Sequence, residues 1–161
     1  MQGIAKAVLV TIITSIIIVL LTNMSFFFPW YLTLVSETYY ISQEVASENY
    51  LKRSSYKDIK DALEDRPIFN KRRNDIKILV AKDEWFYNSA IPDMDRDDYS
   101  DLSDYEKPYR QRGKPVYVKV EAVYPLTVTL WGKEYSKDIP MSFQIVTTGL
   151  KHYKDLEYYT E

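Results

Sequence analysis

The stretch AVLVTIITSIIIVLL at residues 7–21 carries no charge, and only Thr11, Thr14 and Ser15 place polar atoms in it. Their hydroxyls can bond back to carbonyls one turn earlier, so an isolated helix here leaves few polar groups unsatisfied. Reading outward, the uncharged run extends over residues 7–36, and Lys6 is the single charged side chain before it. A helix needs about 20 apolar residues to cross the hydrocarbon core of a bilayer, and the run from Ile4 to Met24 or Phe28 supplies them. It ends in Phe26, Phe27, Phe28, Trp30 and Tyr31, rings that favour the membrane–water interface. The sequence therefore predicts a retained transmembrane and assembly helix over residues 1–35, with Val10, Thr14, Ser15, Ile17 and Leu21 as its packing positions.

A cleavable secretory signal is the competing reading, with Lys6 as a minimal basic flank and small residues in Asn23-Met24-Ser25. The apolar stretch is longer than a usual signal core of about 7–15 residues, and no small-x-small pair precedes the helix end. Orientation follows from charge. The free amine and Lys6 precede the helix, while Glu37, Glu44 and Glu48 are the first acids after it, which places the N-terminus inside and the bulk of the chain outside.

Beyond Trp30 the polarity rises while helical spacing persists through Leu34, Thr38, Ile41, Val45, Glu48 and Lys52. The helix is expected to continue outside the membrane, bent or interrupted near Pro29. A shorter helix is predicted over residues 56–64, capped by Ser55 and closed by Arg66-Pro67, with Ile59, Ala62 and Leu63 on one face. Residues 36–66 thus form an extramembrane helical region. After Asn70 the period changes to two. Ile76, Ile78 and Val80 predict a strand running on through Trp85 and Tyr87, and Val116, Val118, Val120 and Ala122 predict a long one. Pro125 is expected to mark a bulge or edge bend. Leu126, Val128 and Leu130 resume the alternation, and Trp131-Gly132-Lys133-Glu134 turns the chain into Ile139, Met141, Phe143 and Ile145. The expected fold class is α+β, a long apolar helix followed by a small antiparallel sheet domain over residues 67–161.

Composition narrows the chemistry. The chain has 161 residues, no cysteine and one histidine, His152. Disulfide frameworks, zinc ribbons, iron–sulfur clusters and thiol nucleophiles are excluded, and transition-metal ligands are scarce. A net charge of −2 offers no global field for a polyanion, so no nucleic-acid partner is expected. No Gly-rich phosphate loop, G-x-S-x-G, H-E-x-x-H or histidine-paired nucleophile occurs, and neither catalysis nor a cofactor is expected.

The densest charge lies at residues 83–106, where nine carboxylates face one base, Arg96. Asp93, Asp95, Asp97 and Asp104 copy the oxygen spacing of a calcium loop, yet Asp98 stands where the sharp turn wants Gly, and Asp104 where a bidentate Glu is usual. A solvated acidic loop is the expectation, with calcium as its alternative. Residues 66–82 carry six bases against Asp75, and residues 107–119 carry five with no acid. Such blocks can pair within the chain or across a contact with a second copy. The 15 tyrosines suit surfaces that a partner buries, and equally cross-strand pairs.

A short leader, an apolar helix that continues outward as an amphipathic one, and a closing β-domain together resemble type IV pilin-like proteins, and more narrowly the TadE-like group. Gly3 lies just before the apolar run, Tyr39-Tyr40-Ile41-Ser42-Gln43-Glu44-Val45-Ala46 follows where that group extends its helix, and the V-x-V-x-V…I-P-x-S-F…T-T-G…Y-Y pattern resembles its closing sheet. The resemblance covers roughly the first 50 and last 50 residues. It implies processing after Gly3, although Val8 occupies the position at which pilins carry Glu. It further implies a structural subunit of an extracellular filament or secretion pseudopilus, at the cell membrane and cell surface. Its partners would be membrane lipid, copies of itself and other pilus or secretion components. The alternative is a single-pass anchored accessory protein of an export or conjugation apparatus whose outer domain binds a protein partner.

Overall fold

The computed structural model describes residues 2–85, 90–92, 99, 101–103, 106–130 and 132–152. Helix α1 (Gln2–Glu48) has 47 residues, about 70 Å at 1.5 Å per residue. It passes through Pro29 without a break, so the expected interruption does not occur. The missing proline N–H removes one bond from the ladder, which the turns on either side outweigh. Asn49, at φ 65, ends the helix in the left-handed conformation that Asn tolerates better than most residues.

Helix α2 (Arg53–Glu64) starts three residues earlier than its sequence suggests. Lys52 holds the N-cap position without a side-chain cap, since its ammonium has no acceptor, and Ser55, expected to cap, lies inside the helix and donates to Glu44 Oε1 at 3.0 Å, tying α2 to α1. Ile59 and Leu63 are the buried residues of α2. A 3₁₀ segment (Asn70–Asp75) leads into strand β1 (Lys77–Ala81). β1 stops before Trp85, whose backbone N–H bonds the Asp83 carboxylate in a turn that ends the extended run; Tyr87 lies outside the described residues.

Strands β2 (Pro115–Leu130) and β3 (Lys133–Thr148) form a 16-residue antiparallel hairpin that closes at Leu130↔Lys133, with Gly132 at φ 75. The sheet order is β1-β2-β3, antiparallel throughout. No bulge appears at Pro125, which pairs in unbroken register with Asp138. Pairing with β1 has already ended at Glu121, so on that side the proline lies at an open edge where its absent N–H breaks no ladder.

Val116, Val118, Val120, Ala122 and Tyr124 line the buried face of β2, as the alternation predicts, and Ile78 and Val80 do so on β1. Ile139, Met141 and Phe143 of β3 pack beside them. Opposite stand Trp30, Leu34, Ile41 and Val45 of α1 with Ile59 and Leu63 of α2, in one core. The molecule has the α+β layout expected: a long apolar N-terminal helix followed by a small three-stranded antiparallel sheet.

Candidate functional site

The apolar half of α1 stands clear of the rest of the chain. Ile4, Val8, Val10, Ile12, Ile16, Ile18, Leu20 and Leu21 each expose about half or more of their area, a cost in water that a lipid or protein environment removes. It is long and apolar enough to cross a membrane by length and composition. The Thr11 hydroxyl donates to the Ala7 carbonyl at 2.9 Å and the Ser15 hydroxyl to that of Thr11 at 2.8 Å, the back-bonding expected of both. Thr22, Asn23 and Ser25 bond in the same way to Ile18, Val19 and Leu21.

With successive residues about 100° apart, Val10, Thr14, Ile17 and Leu21 fall on one exposed stripe. Ser15 lies about a third of a turn away and does not join it. Partial burial begins at Val19, and contact with the β-domain begins at Asn23 and continues through Phe27, Trp30 and Leu34, on roughly the opposite side of the helix. The stripe therefore faces outward from the whole molecule. Gly3 lies in the first turn of α1, with open space where a side chain would begin.

The aromatic cluster divides between two roles. Phe26 and Phe28 are exposed at 66% and 50%, while Trp30 is 2% exposed. Trp30 packs edge-on against Phe69 and Tyr124, Phe27 against Tyr124, and Tyr31 against Phe143. The Tyr124 hydroxyl donates to the Asn23 carbonyl at 3.3 Å, and burial pushes its pKa above the ordinary tyrosine value. Rings legible in the sequence only as interfacial are thus also the joint between the helix and the sheet.

The far end of the β-domain is clamped by Asn49. Its buried carboxamide donates to the Arg110 carbonyl at 2.9 Å and the Lys151 carbonyl at 2.7 Å, and accepts from the Lys151 N–H at 3.0 Å. Gly149 sits so close that a methyl group there would overlap this carboxamide, a physical reason for the glycine in Thr147-Thr148-Gly149. Nothing in the local sequence marks Asn49 as this hub, because its partners lie 61 and 102 residues away.

Among the described residues, charge pairs cross between elements. Glu37 meets Arg66, Glu48 meets Lys151 at 2.6 Å, and Arg72 grips Asp138 with two bonds of 3.0 and 2.6 Å. Lys82 is 8% exposed and donates to the Lys107 carbonyl at 2.8 Å. Burial, and then the nearby Arg110 guanidinium, lower its pKa below the ordinary lysine value. Asp93, Asp95, Asp97 and Asp104, the calcium alternative, lie outside the described residues. Among the described residues no group of three or more His, Asp or Glu side chains is placed to hold a metal. Of the tyrosines, Tyr50, Tyr99, Tyr109 and Tyr124 are buried, whereas Tyr39, Tyr40 and Tyr135 are more than half exposed.

Comparison with known proteins finds no matching family model, no matching curated protein and no matching solved structure.

Proposed function

We propose that this chain is a structural subunit of an extracellular filament or secretion pseudopilus, held in lipid before assembly and packed among copies of itself afterwards. One observation carries the reading. A single unbroken helix is both the core of the folded domain from Trp30 onward and a bare apolar rod before Val19. A rod continuous with its domain transmits a fixed geometry from subunit to subunit, and one contact repeated by a screw operation yields an open filament. The stripe of Val10, Thr14, Ile17 and Leu21 is equally suited to lipid and to close helix packing, so transfer from one to the other costs little. The N-terminus lies inside and the β-domain outside, by the charge asymmetry about the apolar run. Other components of a pilus or secretion apparatus would drive the transfer.

The experiment is electron microscopy of surface material sheared from cells, labelled with an antibody to the β-domain. Long labelled fibres are the expected result. Protein found only as single particles in the membrane fraction would overturn the filament reading and leave an anchored accessory protein in its place.

A further inference from the structure

The outward stripe of α1 does not stop with the apolar span. At about 100° per residue, Phe28, Leu32 and Tyr39 fall on the same line as Val10, Thr14, Ile17 and Leu21, with Met24 and the half-buried Val35 filling the intervals. The steps of three and four residues are those of a coiled-coil seam. Phe28, Leu32 and Tyr39 remain 50%, 63% and 53% exposed, although Trp30, Leu34, Ile41 and Val45 on another side of the same turns are buried in the core. The folded domain therefore leaves the ridge open from end to end.

From Val10 to Tyr39 the ridge measures about 44 Å at 1.5 Å per residue, whereas the hydrocarbon core of a bilayer is about 30 Å thick. Wherever the bilayer lies along the helix, lipid tails leave about 14 Å of apolar ridge in water. What covers that remainder must be protein, and it must also tolerate the part of the ridge inside the membrane. Charge narrows the choice. In a parallel pair related by a two-fold axis each residue meets its own counterpart, so any charge on the contact would meet a like charge. Residues 7–36 carry none, and Glu37, the first to follow, turns aside to Arg66 of α2. A second copy of α1, inserted in the same direction, offers apolar side chains at matching heights both within and beyond the bilayer, and the unbroken helix keeps the two halves in register.

We infer that α1 pairs in parallel with α1 of a second copy along the ridge from Val10 to Tyr39, as a two-fold dimer in the membrane whose contact extends outside the lipid. The inference rests on the membrane-anchored state proposed above and not on the filament. It goes beyond that reading by making Phe28, Leu32 and Tyr39 a protein contact formed before any assembly. Like residue meets like residue in such a pair, whereas the screw-related contact of a filament joins unlike patches.

The chain has no cysteine, so single thiols report one position each. The full chain carrying Leu32→Cys, Tyr39→Cys, Tyr40→Cys or Asp61→Cys is reconstituted at low density into phosphatidylcholine vesicles, which are floated and then oxidised. Tyr40 is as exposed as Tyr39 but lies about 100° away around the helix, and Asp61 is exposed on α2. Disulfide-linked dimers should form several-fold more at positions 32 and 39 than at 40 and 61. Adding Leu32→Glu, or Leu32→Lys, to the Tyr39→Cys chain should reduce its dimers to the level of position 40, because like charges then face each other. A mixture of the Glu and Lys chains should restore them, a rescue that misfolding could not give. Dimers at 32 and 39 no more abundant than at 40, from chains that float with the vesicles, overturn the pair and leave the anchor intact. Dimers at 39 undiminished by Leu32→Glu, or a mixture that restores nothing, also overturn it. Chains left behind when the vesicles float overturn the anchored state itself.

Discussion

Asn49 joins three segments that lie far apart in the chain. Three hydrogen bonds from its carboxamide close the end of α1 against the chain at Arg110 and Lys151, and its backbone adopts φ 65 to end the helix. Asn49→Ala keeps neither the bonds nor an easy left-handed backbone. It should cost about 2–4 kcal/mol, since each carbonyl or amide left unpaired costs about 1–3 kcal/mol. Gly149→Ala should be comparably damaging, through overlap with the same carboxamide. Both are read as lowered melting temperatures of the full chain in detergent. A melting point within error of wild type for Gly149→Ala would mean that the carboxamide has another place to go. Two titrating groups act in alkaline solution with opposite signs. Lys82 has a folded pKa below 10.5, so the unfolded chain binds the extra proton between those values, and stability climbs with pH across that window. Tyr124 has a folded pKa above 10.0, so the unfolded chain loses its proton first, and stability falls as pH rises beyond 10.0. In urea unfolding of the full chain, Lys82→Met should flatten the climb and Tyr124→Phe should soften the fall.

At the scale of elements, α1 combines two environments that no short helix could join. Its outward stripe makes separable predictions. Ile17→Lys places a charge near the centre of the span, costs about 2.5–3.5 kcal/mol on insertion scales, and should empty the membrane fraction. If the stripe packs against neighbouring subunits as proposed, Thr14→Leu should leave membrane yield unchanged while reducing fibre yield, because it enlarges a small position there. Ser15→Leu, off the stripe, is the matched control, with smaller loss expected. Equal fibre yields from Thr14→Leu, Ser15→Leu and wild type would show that the stripe is not the packing face. The hairpin is the second notable element. Its 16 paired positions run well past β1, and among the described residues no strand pairs with the outer edge of β3. Pro140 interrupts that edge near its middle, where a missing donor discourages pairing with another strand.

For the whole molecule, topology and ion dependence are the measurable quantities. Protease added to intact, wall-stripped cells should remove the β-domain and spare the apolar helix; survival of a C-terminal epitope would reverse the orientation. Calcium and chelator should each leave the melting temperature of the full chain in detergent where it was. A site formed in the native state would raise it with calcium and lower it with chelator by mass action, and such a shift would establish the loop containing Asp93, Asp95, Asp97 and Asp104 as a ligand site.

Local pattern was enough for the parts of this chain whose environment is set by periodicity alone. An uncharged run of thirty residues with an apolar first half specifies a long apolar helix, and strict alternation at Val116, Val118, Val120 and Ala122 specifies which face of a strand is inside. Helix existence, strand faces and the hairpin turn were therefore legible, as was the stripe of Leu34, Thr38, Ile41 and Val45. Boundaries and joints were not, because they depend on partners far along the chain. α2 begins at Arg53 and takes Ser55 into the helix, where it meets Glu44; α1 continues unbroken through Pro29 because the turns on both sides are helical; and β2 keeps its register at Pro125 because its neighbour has already ended. Trp30 reads as an interfacial ring in sequence and becomes core only when Phe69 and Tyr124 close over it. The basic block at residues 71–73 acquires a location only through the Arg72–Asp138 pair, 66 residues apart. Periodicity acts over a few residues and is written in the chain; which faces meet is decided by burying those faces together, and only the tertiary structure performs that step.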